Sequence, residues 1–472
     1  MTHRNPSKRL KTAIAQAVAL AFVAAAGSAS AQSAADLLRE IQALKARVAE
    51  LEGKQGRPAG ANGAQWGMTP EQAAEFNRIA VKAEAMEDAR DASGLKLLKI
   101  SGYMDPTFTY NKRQDRAGFQ FLNPISNDGY NYDNSYFGAA VIDFQKETDS
   151  GTRWRLTLAP NRGVGSVFDG QSPVHEASVS VPLTDLQTRF IAGQLPDWSG
   201  YEYLQPTLNK LITHNLLFDF TLPAAYTGAG MEVTSGKWIV KGMVANLNSS
   251  KRNPGDKAPV LTYRADYARG EFQGFGFAGV HGKAANFRAF DATTPSGLGV
   301  NPISLADYSG ADTRVDLFEL DAYFIRGDWT VQGQVSTGKQ KNASVTADPV
   351  TGDLRDAKWW GASGLVAYKW TPRIETTGRM DFVNNKKNGG GLLGYNFADA
   401  RNGVGPDGAG DPEVGASRSA LTFGASWLLN LNTTFKAEYR IDRANLPVFL
   451  DMKSGNFSKS NQLFGASVLV AF

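Results

Sequence analysis

The chain has 472 residues, with 49 glycines, 11% aromatic residues and no cysteine. The missing thiols exclude disulfide bonds, thiolate metal sites and a cysteine nucleophile, and they agree with an exported protein. The mean hydropathy is −0.30, and no internal apolar run reaches about twenty residues, which argues against a protein that crosses a membrane with helices.

Residues 1–31 have the pattern of a secretory signal peptide. Four basic residues lead into the apolar stretch 17–26, and the small residues 29–31 give a cleavage site before Gln32. This segment carries the whole formal net charge of +4, so the mature chain is close to neutral. Binding of nucleic acid therefore loses its electrostatic support.

Residues 32–94 are predicted to form a periplasmic helical segment. Apolar residues step by four and three in its first part, at Leu37, Ile41, Leu44, Val48 and Leu51. This spacing predicts a short coiled coil, with a solitary amphipathic helix lying on the barrel as the alternative.

A glycine- and alanine-rich joint over residues 53–67 separates this first helix from a second one. Thr69 provides an N-cap, Pro70 the first helical position and Gln72 the capping-box residue, and Gly94 ends the helix.

From residue 95 to residue 472 the apolar pattern has a period of two, which is typical of strands with one apolar face. We predict sixteen strands, near 96–110, 136–146, 152–159, 175–181, 186–193, 225–234, 237–247, 259–267, 274–282, 314–325, 329–337, 359–370, 374–383, 419–429, 433–442 and 461–472. The predicted fold is all-β, a 16-stranded antiparallel transmembrane β-barrel. Sixteen strands enclose a water-filled lumen, whereas about eight fill it with their own side chains.

The predicted connections alternate between short and long. Long connections fall at 111–135, 194–224, 283–313, 384–418 and 443–460. Short turns on one side and long loops on the other are typical of outer-membrane barrels, and a sandwich or propeller gives no reason for this alternation.

The last predicted strand has an apolar face that ends on Phe472. It resembles the closing strands of bacterial outer-membrane proteins, which the barrel-insertion machinery recognises. Aromatic residues near strand ends predict interfacial girdles, with a role as packing residues as the alternative for some of them. They are Tyr103, Tyr110, Trp238, Trp329, Trp359, Trp370, Trp427 and Tyr439.

The same alternation sorts charged side chains to the inner face of the barrel, where a charge avoids lipid. The predicted pore-lining residues are Lys99, Asp105, Arg153, Arg155, Arg189, Lys241, Arg264, Glu319, Asp321, Arg379, Asp381, Lys436 and Arg440. Arginines on the third and fifth strands would face acids on the tenth and thirteenth, Glu319, Asp321, Glu375 and Asp381. Opposite charges on facing walls would produce a transverse electric field across the pore. Arginines in this field predict a mild preference for small organic anions.

The connection between the fifth and sixth strands, residues 194–224, is too apolar for a loop in water. We predict that it bends into the lumen as a constriction loop, with packing over the rim or against another subunit as the alternative. The candidate constriction residues are Trp198, Tyr201, Tyr203 and Lys210. The three rings could instead stack on neutral sugars.

Catalytic and metal-binding patterns are weak. The four histidines have no partner at metal-ligand spacing, and no Ser, His and acid set stands out on neighbouring strands, so we predict no enzyme, metal or cofactor. Acidic loop clusters at 348–356 and 407–413 are candidates for calcium, with solvated loops as the alternative.

The signal peptide, the coiled coil, the opening strand Lys99-Ile100-Ser101-Gly102-Tyr103 and the segment from Gly193 to Gly228 resemble the OmpL-like beta-barrel porin family. They are also similar to a proteobacterial porin-like outer-membrane protein family of unknown function. This resemblance implies a porin, and sixteen-stranded porins are usually homotrimers.

The sequence as a whole therefore predicts a homotrimeric outer-membrane porin that passes small hydrophilic solutes. A structural or adhesive barrel with a plugged lumen, which binds through loops 283–313 and 384–418, is the alternative.

Overall fold

A computed structural model of the chain describes residues 69–113, 115–121, 137–159, 173–223, 225–247, 259–270, 272–285, 312–342, 356–387 and 416–472. The signal peptide and the coiled coil, and most of loops 283–313 and 384–418, lie outside the described residues. The acidic loop clusters also lie outside them, apart from Asp356.

The described chain begins with helix α1, Pro70–Ala92. The predicted capping box is confirmed: the Thr69 side chain accepts from the Gln72 backbone N–H at 3.2 Å, and the Gln72 side chain accepts from the Thr69 N–H at 3.0 Å. The apolar side chains Phe76 and Ile79 remain more than half exposed, so the described residues do not cover this helix face. Of the helices among the described residues, none is both long and apolar enough to span a bilayer.

The strands are β1 (Leu98–Met104), β2 (Thr107–Asn111), β3 (Arg116–Gln120), β4 (Ala140–Glu147), β5 (Arg153–Leu158), β6 (Val174–Pro182), β7 (Thr188–Pro196), β8 (Ala225–Ser235), β9 (Trp238–Leu247), β10 (Val260–Gly270), β11 (Gln273–Ala285), β12 (Asp312–Arg326), β13 (Trp329–Gln340), β14 (Ala357–Thr371), β15 (Ile374–Lys387), β16 (Ser417–Asn430), β17 (Thr433–Ala444), β18 (Phe449–Leu450), β19 (Phe457–Ser458) and β20 (Ser460–Ala471). Helix α2, Leu216–Phe220, lies between β7 and β8.

Eighteen of these strands form one antiparallel sheet in the described chain, and β18 and β19 form a separate hairpin. β1 and β2 follow one another along one position of the ring, because both pair with β20. β3 pairs with β2 and β4 pairs with β1, so these two share the next position. The described sheet therefore has sixteen positions, which confirms the predicted strand number.

The ring closes where the last strand meets the first. Tyr103 is paired with Ala471, the Gly102 N–H donates to the Phe472 carbonyl at 3.0 Å, and the Phe472 N–H donates to the Gly102 carbonyl at 3.0 Å. A Cβ at Gly102 would lie 2.6 Å from the Phe472 ring, so the glycine leaves room for this ring at the closing seam.

The predicted alternation of connections is confirmed. Strands β8 and β9 are joined by two residues, and so are β12 and β13. We call this edge the short-turn end and the opposite edge the long-connection end. One prediction was incomplete: the connection 111–135 contains β3, which continues the hairpin from β2.

Exposed apolar side chains cover the outer surface of the described strands, for example Phe318, Val335, Val366 and Phe423. Six of the eight girdle aromatics are not buried, but the prediction was wrong for Tyr103 and Trp359, whose exposures are 6% and 2%. Both side chains lie on the inner face, where Trp359 joins an apolar cluster that the sequence did not reveal.

Candidate functional site

Residues 197–223, which we call the inward segment, cross the interior of the barrel. They leave the wall after β7 and return at β8, where Pro196 and Ala225 are paired neighbours. Their side chains and backbone contact β13 to β17 on the opposite wall. In a closed ring that wall can be reached only through the lumen, so the inward bend predicted from sequence is confirmed.

Arg379 on β15 is a major anchor of this segment. Its Nη1 donates to the Glu202 carboxylate and to the Thr213 carbonyl, both at 2.7 Å, and its Nη2 donates to the His214 carbonyl at 2.8 Å. Its Nε donates to Asp381 at 3.0 Å, and all three charged side chains are buried. Five donors in a fixed planar fork suit arginine for holding carboxylates and carbonyls together.

A second anchor lies on β17. The Glu438 carboxylate accepts the backbone N–H groups of Ile212 at 2.6 Å and Thr213 at 3.0 Å, and also the Thr213 hydroxyl. Arg440 Nη1 donates to the His214 carbonyl at 2.7 Å. Lys436 Nζ donates to the Asn209 carbonyl at 2.5 Å. Backbone groups that no strand can pair inside the barrel are therefore satisfied by charged wall residues.

The segment also reaches deep into the barrel. Lys210 Nζ lies 2.8 Å from the Glu375 carboxylate, and Glu375 is the second residue of β15, close to the short-turn end. The Tyr201 hydroxyl lies 2.6 Å from the Ser363 hydroxyl on β14. The part of the segment around Lys210 therefore lies near the short turns, and the part around Tyr201 lies near the middle of the wall.

Small residues of the wall make room for the segment. A Cβ at Gly424 would collide with the Leu211 side chain, one at Gly361 would lie 3.2 Å from Leu217, and one at Gly465 would lie 3.3 Å from the Ile212 Cδ1. These glycines are inner-face positions on separate strands. Because they lack side chains, they leave space that apolar side chains of the segment fill.

Helix α2 packs in an apolar cluster at the long-connection end. Leu216, Leu217 and Phe220 are at most 2% exposed and contact inward side chains of β8 to β12 and β14 to β16. The helix begins at the N-cap Asn215, whose side chain accepts from the Phe218 N–H at 2.8 Å. This half of the described interior is a packed core rather than a polar wall.

The predicted constriction residues are divided between buried and exposed positions. Tyr201 is buried at 6%, and Trp198 packs on Tyr226 with a centroid distance of 4.7 Å. Tyr203 is 54% exposed, and the Lys210 side chain is 29% exposed. One side of the segment therefore faces solvent inside the barrel, and of the three rings Tyr203 is the most exposed.

The arginines predicted to face the constriction are largely occupied. Arg155 lies 2.9 Å from Asp143 and 3.3 Å from Glu176. Arg189 donates from Nη2 to the Gly151 carbonyl at 2.7 Å, and it is the second residue of β7, so it supports a short turn. Arg153 is exposed beside Glu147 at 3.2 Å.

The acids on the opposite wall are paired as well. Arg264 lies 2.7 Å from Asp321 and 3.8 Å from Glu319. Asp381 and Glu375 bind Arg379 and Lys210. Because the opposite charges compensate within each wall, the transverse field expected from the sequence is reduced.

Three further predicted residues have separate environments. The Asp105 carboxylate accepts the backbone N–H groups of Gly138 at 3.0 Å and Ala139 at 2.6 Å, which fixes the break between β1 and β2. Lys241 Nζ lies 4.8 Å from the Trp198 ring centroid, and Lys99 is exposed.

His214 of the inward segment is a structural residue. Its Nε2 lies 2.8 Å from the Tyr203 carbonyl, and its ring stacks on Phe218 at 4.1 Å. Burial lowers the pKa of His214 to about 3, so the ring is neutral. Among the described residues no group of His, Cys, Asp and Glu could hold a metal ion.

Residues 7–472 match the family described as "Protein of unknown function (DUF3138)". The chain belongs to this family. No curated protein matches the chain.

Solved structures are similar in fold. OmpT, an outer membrane protein of Vibrio cholerae, has a TM-score of 0.50 at 11% identity, over 79% of this chain and 97% of that chain. The outer membrane channel DcaP of Acinetobacter baumannii has a TM-score of 0.49 at 10% identity, over the same shares. OmpF of Salmonella typhi with daunomycin gives 0.46 at 12% identity, over 79% and 97%. At this identity the OmpT likeness shows the barrel fold alone.

Proposed function

We propose that this DUF3138 protein is an outer-membrane porin that passes small hydrophilic solutes by diffusion. The observation that carries the proposal is the inward segment, which crosses a closed sixteen-position barrel in the described chain and is anchored on its far wall. A barrel of this size that is narrowed by its own chain has the design of a size-limited channel.

The outer surface supports insertion in a membrane. Exposed side chains along the long strands are apolar, and an apolar outer band is what lipid selects. α1 precedes β1, which begins at the short-turn end. Short turns face the periplasm in bacterial barrels, so the N-terminal helical segment would lie there.

Solvent exposure on the segment supports an open passage. Tyr203 and Lys210 keep exposed surface inside the barrel, so the segment narrows the lumen on that side. Replacing residues 199–222 with a short glycine–serine linker should preserve the barrel, because Pro196 and Ala225 are adjacent. Planar-bilayer recording should give stepwise conductance for the wild type and larger steps for the deletion variant.

A plugged barrel is the second candidate, and the apolar cluster around α2 favours it. A plug would give a different conductance pattern. If the wild type shows no conductance and the variant without residues 199–222 conducts, the inward segment is a plug. Silence of both proteins, with folding shown by circular dichroism, would contradict the porin proposal.

We further propose that the selectivity is mild and favours small organic anions. Lys99 and Arg153 are exposed on the inner face, and Lys210 is partly exposed on the segment. The ion pairs within each wall keep the effect small. The sugar alternative loses support, because Tyr201 is buried and Trp198 is packed against Tyr226.

Reversal potentials in a potassium chloride gradient test the sign of the selectivity. We expect weak anion selectivity that decreases in the variant K99Q/R153Q. The control is R189Q, because Arg189 is buried against the short turn and should not contribute. Cation selectivity that is unchanged in K99Q/R153Q would exclude the proposed preference.

A further inference from the structure

A patch of basic side chains lies on the outer face of the barrel at the long-connection end. We define this basic patch as Lys283 of β11, Arg314 of β12, Lys339 and Lys341 at the end of β13, and Lys358 of β14. All five residues are exposed or partly exposed. They alternate with Ala284, Val315 and Ala357, whose side chains belong to the interior cluster, so the patch faces outward.

The register brings these charges side by side. Lys283 is paired directly with Arg314, and Lys339 with Lys358. The Lys341 N–H donates to the Arg314 carbonyl at 2.8 Å, so Lys283, Arg314 and Lys341 form a row across three strands. Like charges directly opposite each other destabilise a sheet. An anion between the two like-charged pairs would remove this cost.

Among the described residues, two acids lie close to the patch. Asp316 lies 3.0 Å from both Arg314 and His281. Asp356 lies 3.2 Å from Lys339 and 3.0 Å from Lys341. In the part of the chain that the structure describes, five basic side chains therefore outnumber two carboxylates, and Lys283 and Lys358 have directly paired basic neighbours.

Below the patch the outer face becomes apolar. Phe318, Val335 and Trp360 lie on the same strands and are 46%, 50% and 49% exposed. A ligand that covers both regions needs a multiply charged anionic head and long apolar chains. Arginine and lysine clusters at the interface suit phosphate groups.

We propose that the basic patch binds the phosphate-bearing headgroup of a lipid in the leaflet at the long-connection end, with the acyl chains packed on Phe318 and Trp360. This proposal rests on the proposed membrane location of the barrel. It commits to a lipid rather than a free anion, because the outer face becomes apolar a short way below the charges. Trp360 is the next outward residue after Lys358 on β14, and Phe318 on β12 and Val335 on β13 follow the charges after one outward polar residue each.

Native mass spectrometry of the full-length protein in mild detergent tests the proposal, with diphosphoryl lipid A as the probe. The variant R314Q/K339Q/K358Q should lose about a hundredfold in affinity, at about 1 kcal/mol for each basic residue near the surface. The control K237Q/R326Q/R373Q removes the same charge at the short-turn end and should keep wild-type affinity.

Three further results would decide the interpretation. The proposal would be overturned if both triple variants lost the same affinity for lipid A. It would also be overturned if the wild type bound lipid A no more tightly than phosphatidylethanolamine. Inorganic phosphate that displaces the lipid at equal concentration would also overturn it, because the acyl chains would then contribute nothing. Conductance measured on the same samples separates the two hypotheses: a protein that binds the lipid but never conducts supports the patch and contradicts the porin.

Discussion

At the scale of single residues, the buried charges of the inward segment carry the largest predicted effects. Arg379 holds Glu202, Asp381 and two carbonyl groups at a buried site. A buried ion pair adds little over an apolar replacement, but removing one partner leaves a buried charge uncompensated. The Arg379 network therefore fixes the position of the inward segment more than it adds to the free energy of unfolding.

We expect R379M to destabilise the inward segment by about 3–5 kcal/mol, because Glu202 and Asp381 lose their common partner. Limited trypsin digestion should then cleave after Lys210, which the Glu375 contact holds in the folded protein. The control K99M removes an exposed base from the inner face and should leave cleavage unchanged. Partial recovery of resistance in E202Q/R379M, which leaves only Asp381 without its arginine, would support the charge explanation; equal cleavage of R379M and wild type would refute it.

A second prediction concerns pH and the hairpin of β18 and β19. Arg113 Nη1 donates to Asp451 at 2.6 Å, and this hydrogen bond lowers the pKa of Asp451 below its usual 3.8. A pKa that is lower in the folded state than in the unfolded state stabilises the fold at every pH above the unfolded-state pKa. This stability is lost as the pH falls through the lowered, folded-state pKa.

Amide hydrogen exchange of residues 449–458 should therefore be constant from pH 7 to about pH 4 after correction for intrinsic rates, and protection should decrease below that. D451N should be less protected at neutral pH and should show no such transition. Identical pH profiles for the two proteins would show that the Arg113 contact does not stabilise the hairpin.

At the scale of elements, the fit between the inward segment and the wall depends on inner-face glycines. Gly424 faces Leu211, and a larger side chain at this position would occupy the same volume. Strand β16 can carry the glycine because its pairing with β15 and β17 is continuous on both sides of Gly424. The strand supplies the space, and the segment supplies the side chain that fills it.

We expect G424L to displace the segment, since overpacking forces neighbouring atoms to move at a cost of about 1–3 kcal/mol. Single-channel recordings should show larger or noisier conductance steps than the wild type. The matched control is G364L on β14, where a Cβ would meet nothing within 4 Å. Identical changes in both variants would indicate a general effect of strand glycines rather than displacement of Leu211.

At the scale of the whole molecule, the wall of the barrel is uneven. Strands β4, β5, β6 and β7 have 8, 6, 9 and 9 residues, whereas β12 and β14 have 15 each. A tilted strand needs about 9–11 residues to cross the apolar part of a bilayer. β4 and β5 are shorter than this and β6 and β7 only just reach it, so in the proposed membrane location this short-stranded wall is the part that would match the bilayer least well.

We propose that this wall contacts other copies of the chain in a homotrimer, as the sequence predicts. Mass measurement in mild detergent should give a trimer for the wild type and a monomer for V179W, because Val179 is exposed on β6. V366W places the same ring on the long-stranded wall, where lipid can accept it, and should stay trimeric. A wild type that is monomeric with residues 32–92 intact would exclude the trimer.

The sequence by itself determined the sixteen positions of the described ring, the alternation of short and long connections and the inward bend after β7. These features follow from local rules, because alternation of side chains has a period of two and a long apolar connection cannot remain in water. The capping box at Thr69 is equally local.

Only the tertiary structure decided which charged residues meet. Glu202 and Arg379 are 177 positions apart and Thr213 and Glu438 are 225 apart, and no period in the sequence encodes such pairs. The environment of Trp359 was also decided by the tertiary structure. It is a tryptophan near a strand end, as in an aromatic girdle, but its side chain lies in the interior apolar cluster. Alternation specifies a face of the sheet, whereas the partner across the lumen depends on closure of the ring and on the path of the segment inside it.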